Sequence, residues 1–384
     1  MDAYRSSAEL VVALLAAAVV VGAIAGKLRV PYAVALLLVT LPLRTPAASV
    51  FAPSLLTVLL PTLIFEAAWH LDLAHLRRYW RPIAFLAVPG VAITAFSVAV
   101  ALWLVHALPF TQALLLGAIV SATDPIAVTA AFKELSAPEE LSTIVEGESL
   151  CNDGIAVVLY SAVVAVLAVQ HPDTTTIVLH AAGGSVAGIV IGLAAAAIVA
   201  FGMRTVRDAP LQICASLVAA FAAYLAADRF GASGIFAALV VGVALRAFPG
   251  FPADEETTLE IDRFWGALAF IANSLVFLLL GLRIEFGRIF HEPLLALVAI
   301  AAVLVSRAVL AYGALPLLGI TQRGWRGIVF LSGMRGALSL ALALTIPISV
   351  PYRAEVIDAV FAVVAFTLVV QGLSIGPVLR RFRL

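Results

Sequence analysis

The chain is 384 residues long, 63% hydrophobic and 12% charged, with a mean hydropathy of +1.12. Soluble domains are closer to half apolar and a quarter charged, so these figures exclude a soluble protein and indicate a polytopic membrane protein whose first partner is lipid. The formal net charge is zero, which argues against nucleic acid as a partner.

About twenty apolar residues cross the hydrocarbon core of a bilayer. On that scale the chain is expected to be all-α, with 13 spans at roughly 8–26, 31–42, 53–70, 82–107, 111–132, 142–169, 176–202, 210–227, 231–247, 263–282, 293–318, 325–346 and 354–377. The first run follows Arg5 and ends in Lys27-Leu28-Arg29 without a clear cleavage site, so it reads as a retained helix and not a signal peptide. The loops agree with this alternation. With the N-terminus outside, fifteen Lys and Arg fall on the inner side, including Arg77, Arg78, Arg81, Arg204, Arg207, Arg323, Arg326, Arg380 and Arg381. Six fall outside, and Arg307 and Arg335 lie within spans. That bias places the N-terminus outside and the C-terminus in the cytoplasm. A single transmembrane domain is expected, with no soluble domain after the basic tail, in the plasma or inner membrane.

Two spans are interrupted. Thr123-Asp124-Pro125 breaks the fifth and Gly333-Met334-Arg335-Gly336 breaks the twelfth. An odd span number fits two inverted six-helix repeats joined by the seventh helix, in which the fifth and twelfth correspond. Paired broken segments at matching positions are the sequence pointer to a transporter's midplane site. The seventh span carries Gly184, Gly188 and Gly192 at four-residue spacing, a ridge that permits close helix packing.

Acids mark the chemistry. A charge within a span is costly and usually faces a partner or a wet cavity. Pro125 has no N–H, so a carbonyl one turn earlier loses its helical partner, and such carbonyls are tolerated where they are buried in protein or bind an ion. Asp124, Thr123 and these carbonyls offer the oxygen ligands a hard cation prefers; a proline kink with a satisfied polar residue is the competing reading. In the sixth span Ser149 and Asp153 share a helix face, and Glu148 and Asn152 share an adjacent one. The first face can present a hydroxyl and a carboxylate to one ion. Glu148 needs a cationic partner, and Arg307 and Arg335 are the in-span candidates. Glu146 is expected to be exposed. Glu66, in the third span, either orients Asn152 or is interfacial. His70 and His75 have poor metal spacing and read as interfacial. Two carboxylates close together in a low dielectric cannot both stay ionised without a cation. A proton and a metal cation can satisfy the same charge, one at a time, which is the minimal machinery for exchange.

Ser121-Ala122-Thr123-Asp124-Pro125, Gly147-Glu148-Ser149-Leu150 and Asn152-Asp153-Gly154 resemble the monovalent cation/proton antiporter family, in particular the sodium/proton exchangers of the NhaP and mammalian NHE type. Phe65-Glu66-Ala67, Ser306-Arg307 and Gly333-Met334-Arg335-Gly336-Ala337-Leu338-Ser339 match as well. The resemblance implies 13 helices in two inverted repeats, with the fifth and twelfth crossing and unwound. It implies a mobile ion-translocation core, 82–170 and 293–377, and a dimerisation scaffold, 8–70 and 176–282, in a homodimer. It implies ion ligands at Asp153, Asp124, Ser149 and the Thr123 main-chain carbonyl, Asn152 held by Glu66, Glu148 paired with Arg307, and Arg335 at the crossing. Asn152 before Asp153 marks the electroneutral branch, one Na⁺ or Li⁺ for one H⁺, with no cofactor because the ions are the substrates. Cys151 stands where a large apolar residue is more usual, either a thiol-sensitive feature of the site or inert packing.

Exchange of K⁺ for H⁺ fits the same ligands. A cation channel or proton conduit fits less well, because channel filters are rings of carbonyls or charges around a pore. An intramembrane hydrolase lacks a GxGD, GxSxG or HExxH motif, and the chain is not expected to be an enzyme.

Overall fold

The structure is a computed structural model that describes residues 2–28, 32–40, 48–71, 73–125, 128–129, 132, 137–168, 174–282 and 292–382. Among these residues all regular structure is helical. The helices are α1 (Asp2–Leu28), α2 (Tyr32–Thr40), α3 (Ala48–Trp69), α4 (Leu73–Arg78), α5 (Trp80–Ala87) and α6 (Pro89–Leu104). There follow α7 (Phe110–Ser121), α8 (Glu139–Ala168), α9 (Thr174–Met203), α10 (Ala209–Arg229), α11 (Gly234–Ala247) and α12 (Glu255–Gly281). The last are α13 (Pro293–Ala308), α14 (Arg323–Leu331), α15 (Ala337–Thr345), α16 (Arg353–Phe366) and α17 (Gly372–Phe382). Every expected span holds helix among the described residues, and seven helical stretches are long and apolar enough to cross a membrane. Shorter apolar helices include Val58–Trp69, Phe110–Ser121 and Gly234–Ala247. Side chains such as Val19, Ile198, Phe201 and Leu297 remain exposed; exposed apolar surface on this scale suits lipid and not water.

Several ends follow from local chemistry. Pro89 opens α6 after a break at Val88, as a residue without an N–H is tolerated in a first turn. Asp208 caps α10 by accepting from the Leu211 N–H at 3.0 Å, and Ser233 caps α11 by accepting from the Phe236 N–H at 3.3 Å. The expected eleventh and thirteenth spans each contain a π-helical turn, Val309–Ala314 and Thr367–Gln371, that apolar periodicity does not reveal.

The chain packs as two compact units, one of residues 1–53, 73–172 and 274–384, the other of 54–72 and 173–273. In the second, Phe65, Trp69, Trp265 and Val241 are buried together, and the Phe65 and Trp265 rings lie 4.1 Å apart. The glycine ridge of α9 is used here: the Ser233 N–H donates to the Gly184 carbonyl at 2.9 Å. A Cβ on Gly188 would overlap the Ser233 carbonyl. In the first unit, Leu86, Leu141, Ile144, Leu310, Ile328 and Met334 belong to one buried cluster. A Cβ on Gly117 of α7 would overlap the Ala95 backbone of α6, so glycine sets how closely these two helices approach. These units are defined by packing, whereas the expected mobile and scaffold parts are a functional division.

Candidate functional site

The first unit brings the two broken segments together. Pro125 ends the regular helix ahead of it: α7 stops at Ser121, and Ala122 is extended at φ −60° and ψ 135°. The second break separates α14, ending at Leu331, from α15, starting at Ala337. The Asp124 N–H donates to the Met334 carbonyl at 2.8 Å, and Ser339 Oγ donates to the Ile119 carbonyl at 2.9 Å. Gly336 lies directly against the Asp124 carboxylate, where any Cβ would overlap it. Glycine at 336 is therefore a condition for the crossing.

A helix that stops inside protein leaves carbonyls without partners. Arg335, fully buried, answers this at the end of α7. Its Nε donates to the Val120 carbonyl at 2.6 Å, a terminal nitrogen donates to the Gly333 carbonyl, and its backbone N–H donates to Thr367 Oγ1 at 3.1 Å. A cation at a helix C-terminus also meets the negative end of the helix dipole.

One turn of α8 holds Thr123 from the other side. Ser149 Oγ donates to the Thr123 carbonyl. Asn152 Nδ2 donates to Thr123 Oγ1 at 2.7 Å, and the Thr123 N–H donates to Asn152 Oδ1 at 3.2 Å. Ser149 and Asn152 are three residues apart and so share a face. Thr123, Asp124, Ser149 and Asn152 are all buried. Asp153 is the next residue on α8. Asp153 Oδ1 is shielded from solvent and accepts no hydrogen bond from a described residue. A buried carboxylate oxygen with no donor is expensive unless a proton or a cation satisfies it.

Of the two in-span arginines, Arg307 meets Glu148. Both are buried, and the contact is bidentate: Nη1 to Oε1, and Nη2 to Oε2 at 2.9 Å. Arg307 Nη2 also donates to Ser332 Oγ at 3.1 Å, and Nε donates to the Val329 carbonyl at 2.9 Å. A Cβ on Gly333 would come within 2.8 Å of Arg307 Nε, so the second break makes room for this side chain. Glu66 belongs to the second unit, where its carboxylate lies 3.4 Å from His70 Nδ1. Glu146, expected to be exposed, is half-buried and accepts from Ser142 Oγ at 2.7 Å, because α8 carries it into the packed start of the helix. Among the described residues no three His, Cys, Asp or Glu side chains gather as a metal cluster.

Three hydroxyls of this network were not assigned a role from sequence: Ser332, Ser339 and Thr367. Thr367 had a readable signal. It lies four residues from Gln371 in an otherwise apolar run, and both are buried where the helix widens into a π turn, a feature common at functional sites.

Residues 12–381 match the family described as "Sodium/hydrogen exchanger, transmembrane". The chain belongs to the sodium/hydrogen exchanger family. It is 35% identical over 341 residues to the Na⁺/H⁺ antiporter ApNhaP of Aphanothece halophytica, covering 86% of this chain and 65%, just under two thirds, of that relative. It is 33% identical over 394 residues to the Na⁺/H⁺ antiporter NhaH of Halobacillus aidingensis, covering 97% of this chain and 96% of the relative. The fold is similar to that of the sodium proton antiporter MjNhaP1 from Methanocaldococcus jannaschii at pH 8, with a TM-score of 0.78 and 22% identity over 99% of each chain. This exchanger-family chain is thus an integral membrane protein, in a family of transporters and not of enzymes.

Proposed function

We propose that the chain exchanges one Na⁺ or Li⁺ for one H⁺ by alternating access, at a site formed by Asp153, Asp124, Ser149 and the Thr123 main-chain carbonyl. The observation that supports this reading is Asp124 where the two broken helices cross, beside a turn of α8 on which Asn152 holds Thr123 and the next residue, Asp153, has an Oδ1 that is buried and accepts no hydrogen bond from a described residue. Asp153 is the group that takes either the proton or the metal cation. Asp124 supplies a second negative oxygen, and Ser149 and the Thr123 carbonyl supply neutral ones. Because Ser149 Oγ donates to that carbonyl, cation binding has a ready ligand set in which the hydroxyl oxygen and the carbonyl's second lone pair turn toward one ion.

Exclusive occupancy is what couples the fluxes. A proton on Asp153 removes the charge that binds Na⁺, and Na⁺ leaves no need for the proton. With Glu148 neutralised by Arg307, the exchanging charge is confined to the aspartates, and a one-for-one swap moves no net charge. Asn152 positions Thr123, and Arg335 keeps the α7 end in place. Residues 82–170 and 293–377 form the moving core, and 8–70 and 176–282 the scaffold of a homodimer in the plasma or inner membrane, N-terminus outside. Relatives bearing the name Na⁺/H⁺ antiporter support the reading.

The test uses liposomes with an internal pH dye and an imposed pH gradient. Na⁺ and Li⁺, but not K⁺ or choline, should collapse the gradient, with the same rate when valinomycin clamps the potential. An equal K⁺ response would make it a broad cation/proton exchanger. Proton flux that follows the potential without any cation response would make it a conduit.

A further inference from the structure

We infer that a groove between the π turn after α13, α14 and α17 is a binding site for an anionic phospholipid. The groove has a volume of about 470 Å³. Its walls are aromatic and aliphatic: Tyr312, Phe330, Leu331, Val378 and Phe382. The Tyr312 and Phe330 rings lie 5.9 Å apart, and Gly327 leaves the floor open, since a Cβ there would touch only the Phe382 ring and the Tyr312 hydroxyl, each at 3.8 Å. Tyr312 and Phe382 are exposed. These surfaces suit an acyl chain.

The polar lining is of one sign. Arg323 and Arg326 line the groove, and no acidic residue does. Arg326 Nε is shielded from solvent and has no hydrogen-bond partner among the described residues. Among these residues neither arginine takes part in an ion pair. An arginine N–H shielded from solvent without an acceptor is costly, and the guanidinium's fork geometry matches a phosphate. Arg380 and Arg381 are exposed on the last turn of α17 and extend the positive field around the same end of the unit. This end carries the basic loops expected on the inner side, where anionic lipid headgroups attract such clusters. Two arginines above an apolar trough in a transmembrane chain complement one lipid: a phosphate head over an acyl tail. Each part of the pair explains what the other leaves open.

The purified full chain, stripped of lipid in detergent, is titrated with phosphatidylglycerol, phosphatidylcholine and inorganic phosphate while its unfolding temperature and bound lipid by native mass spectrometry are recorded. Phosphatidylglycerol should bind and stabilise, and phosphatidylcholine should do so about tenfold more weakly. The double variant R323Q/R326Q should lose about tenfold in phosphatidylglycerol affinity and leave the phosphatidylcholine response unchanged. Equal responses to both lipids, an unaltered double variant, or a full shift from phosphate alone would each overturn the site. A photoreactive phosphatidylglycerol applied to the wild-type chain needs no variant to fold. It should label peptides from 312–331 and 372–382, and labelling confined to other helices would overturn the proposal as well.

Discussion

Asp153 and Glu148 lie one and a half turns apart on α8 and have opposite fates. Glu148 is closed off by a bidentate arginine, whereas Asp153 Oδ1 has no donor among the described residues. Asp153→Asn keeps the shape and removes the titrating oxygen. The variant should unfold at a temperature within a few degrees of wild type and show no cation-driven proton flux in liposomes; retained exchange would remove Asp153 from the mechanism. Arg307→Ala should act on stability instead, because breaking a buried pair strands a charge at about 3–5 kcal/mol. Adding Glu148→Gln to it should recover part of the lost thermal stability, since the stranded charge is then gone. A double variant no more stable than the single one would show that Arg307 acts through Val329 and Ser332 and not through Glu148. The carboxylates and the arginines could be singled out from sequence because charges within spans are rare, and Ser149 because it shares a helix face with Asp153. Which arginine serves Glu148 could not be read from the residues alone, since both lie in apolar runs and only packing brings one of them within reach.

Pro125 and the Gly333–Gly336 stretch were legible as breaks because both residue types lack something a helix requires: a backbone donor in one case, a restrained backbone in the other. What the breaks do was not legible in those terms. Gly336 is needed because the Asp124 carboxylate occupies the space of its missing Cβ. Gly336→Ala should therefore separate the crossing, costing about 1–3 kcal/mol of stability as an overpacked site and at least tenfold of exchange rate. Flux measured in liposomes beside an unfolding curve checks both, and unaltered exchange would mean the crossing tolerates displacement. The π turn at Thr367–Gln371 escaped the reading, because a single widened turn leaves apolar periodicity almost unchanged.

At the scale of the molecule, spans and orientation rest on hydropathy and loop charge. Cysteines introduced singly on a background without Cys151 and Cys214 give the check. Ser6→Cys should react with an impermeant maleimide from outside, and Arg381→Cys only after the membrane is opened; the reverse pattern would invert the expected topology. Composition and the spacing of acids, prolines and glycines determined on their own that the chain is a helical membrane protein with two interrupted spans and charged residues inside them. These are local properties: a stretch is apolar or broken regardless of what it touches. The residues by themselves left the partner of Glu148 open between two arginines; the resemblance implied Arg307, and the tertiary structure brings Arg307 to it. Tertiary structure alone decided that Arg335 closes the end of α7 and that Thr123 is held by Ser149 and Asn152. Each contact joins residues well apart in the chain, and a buried polar group takes its partner from whichever neighbour packing supplies.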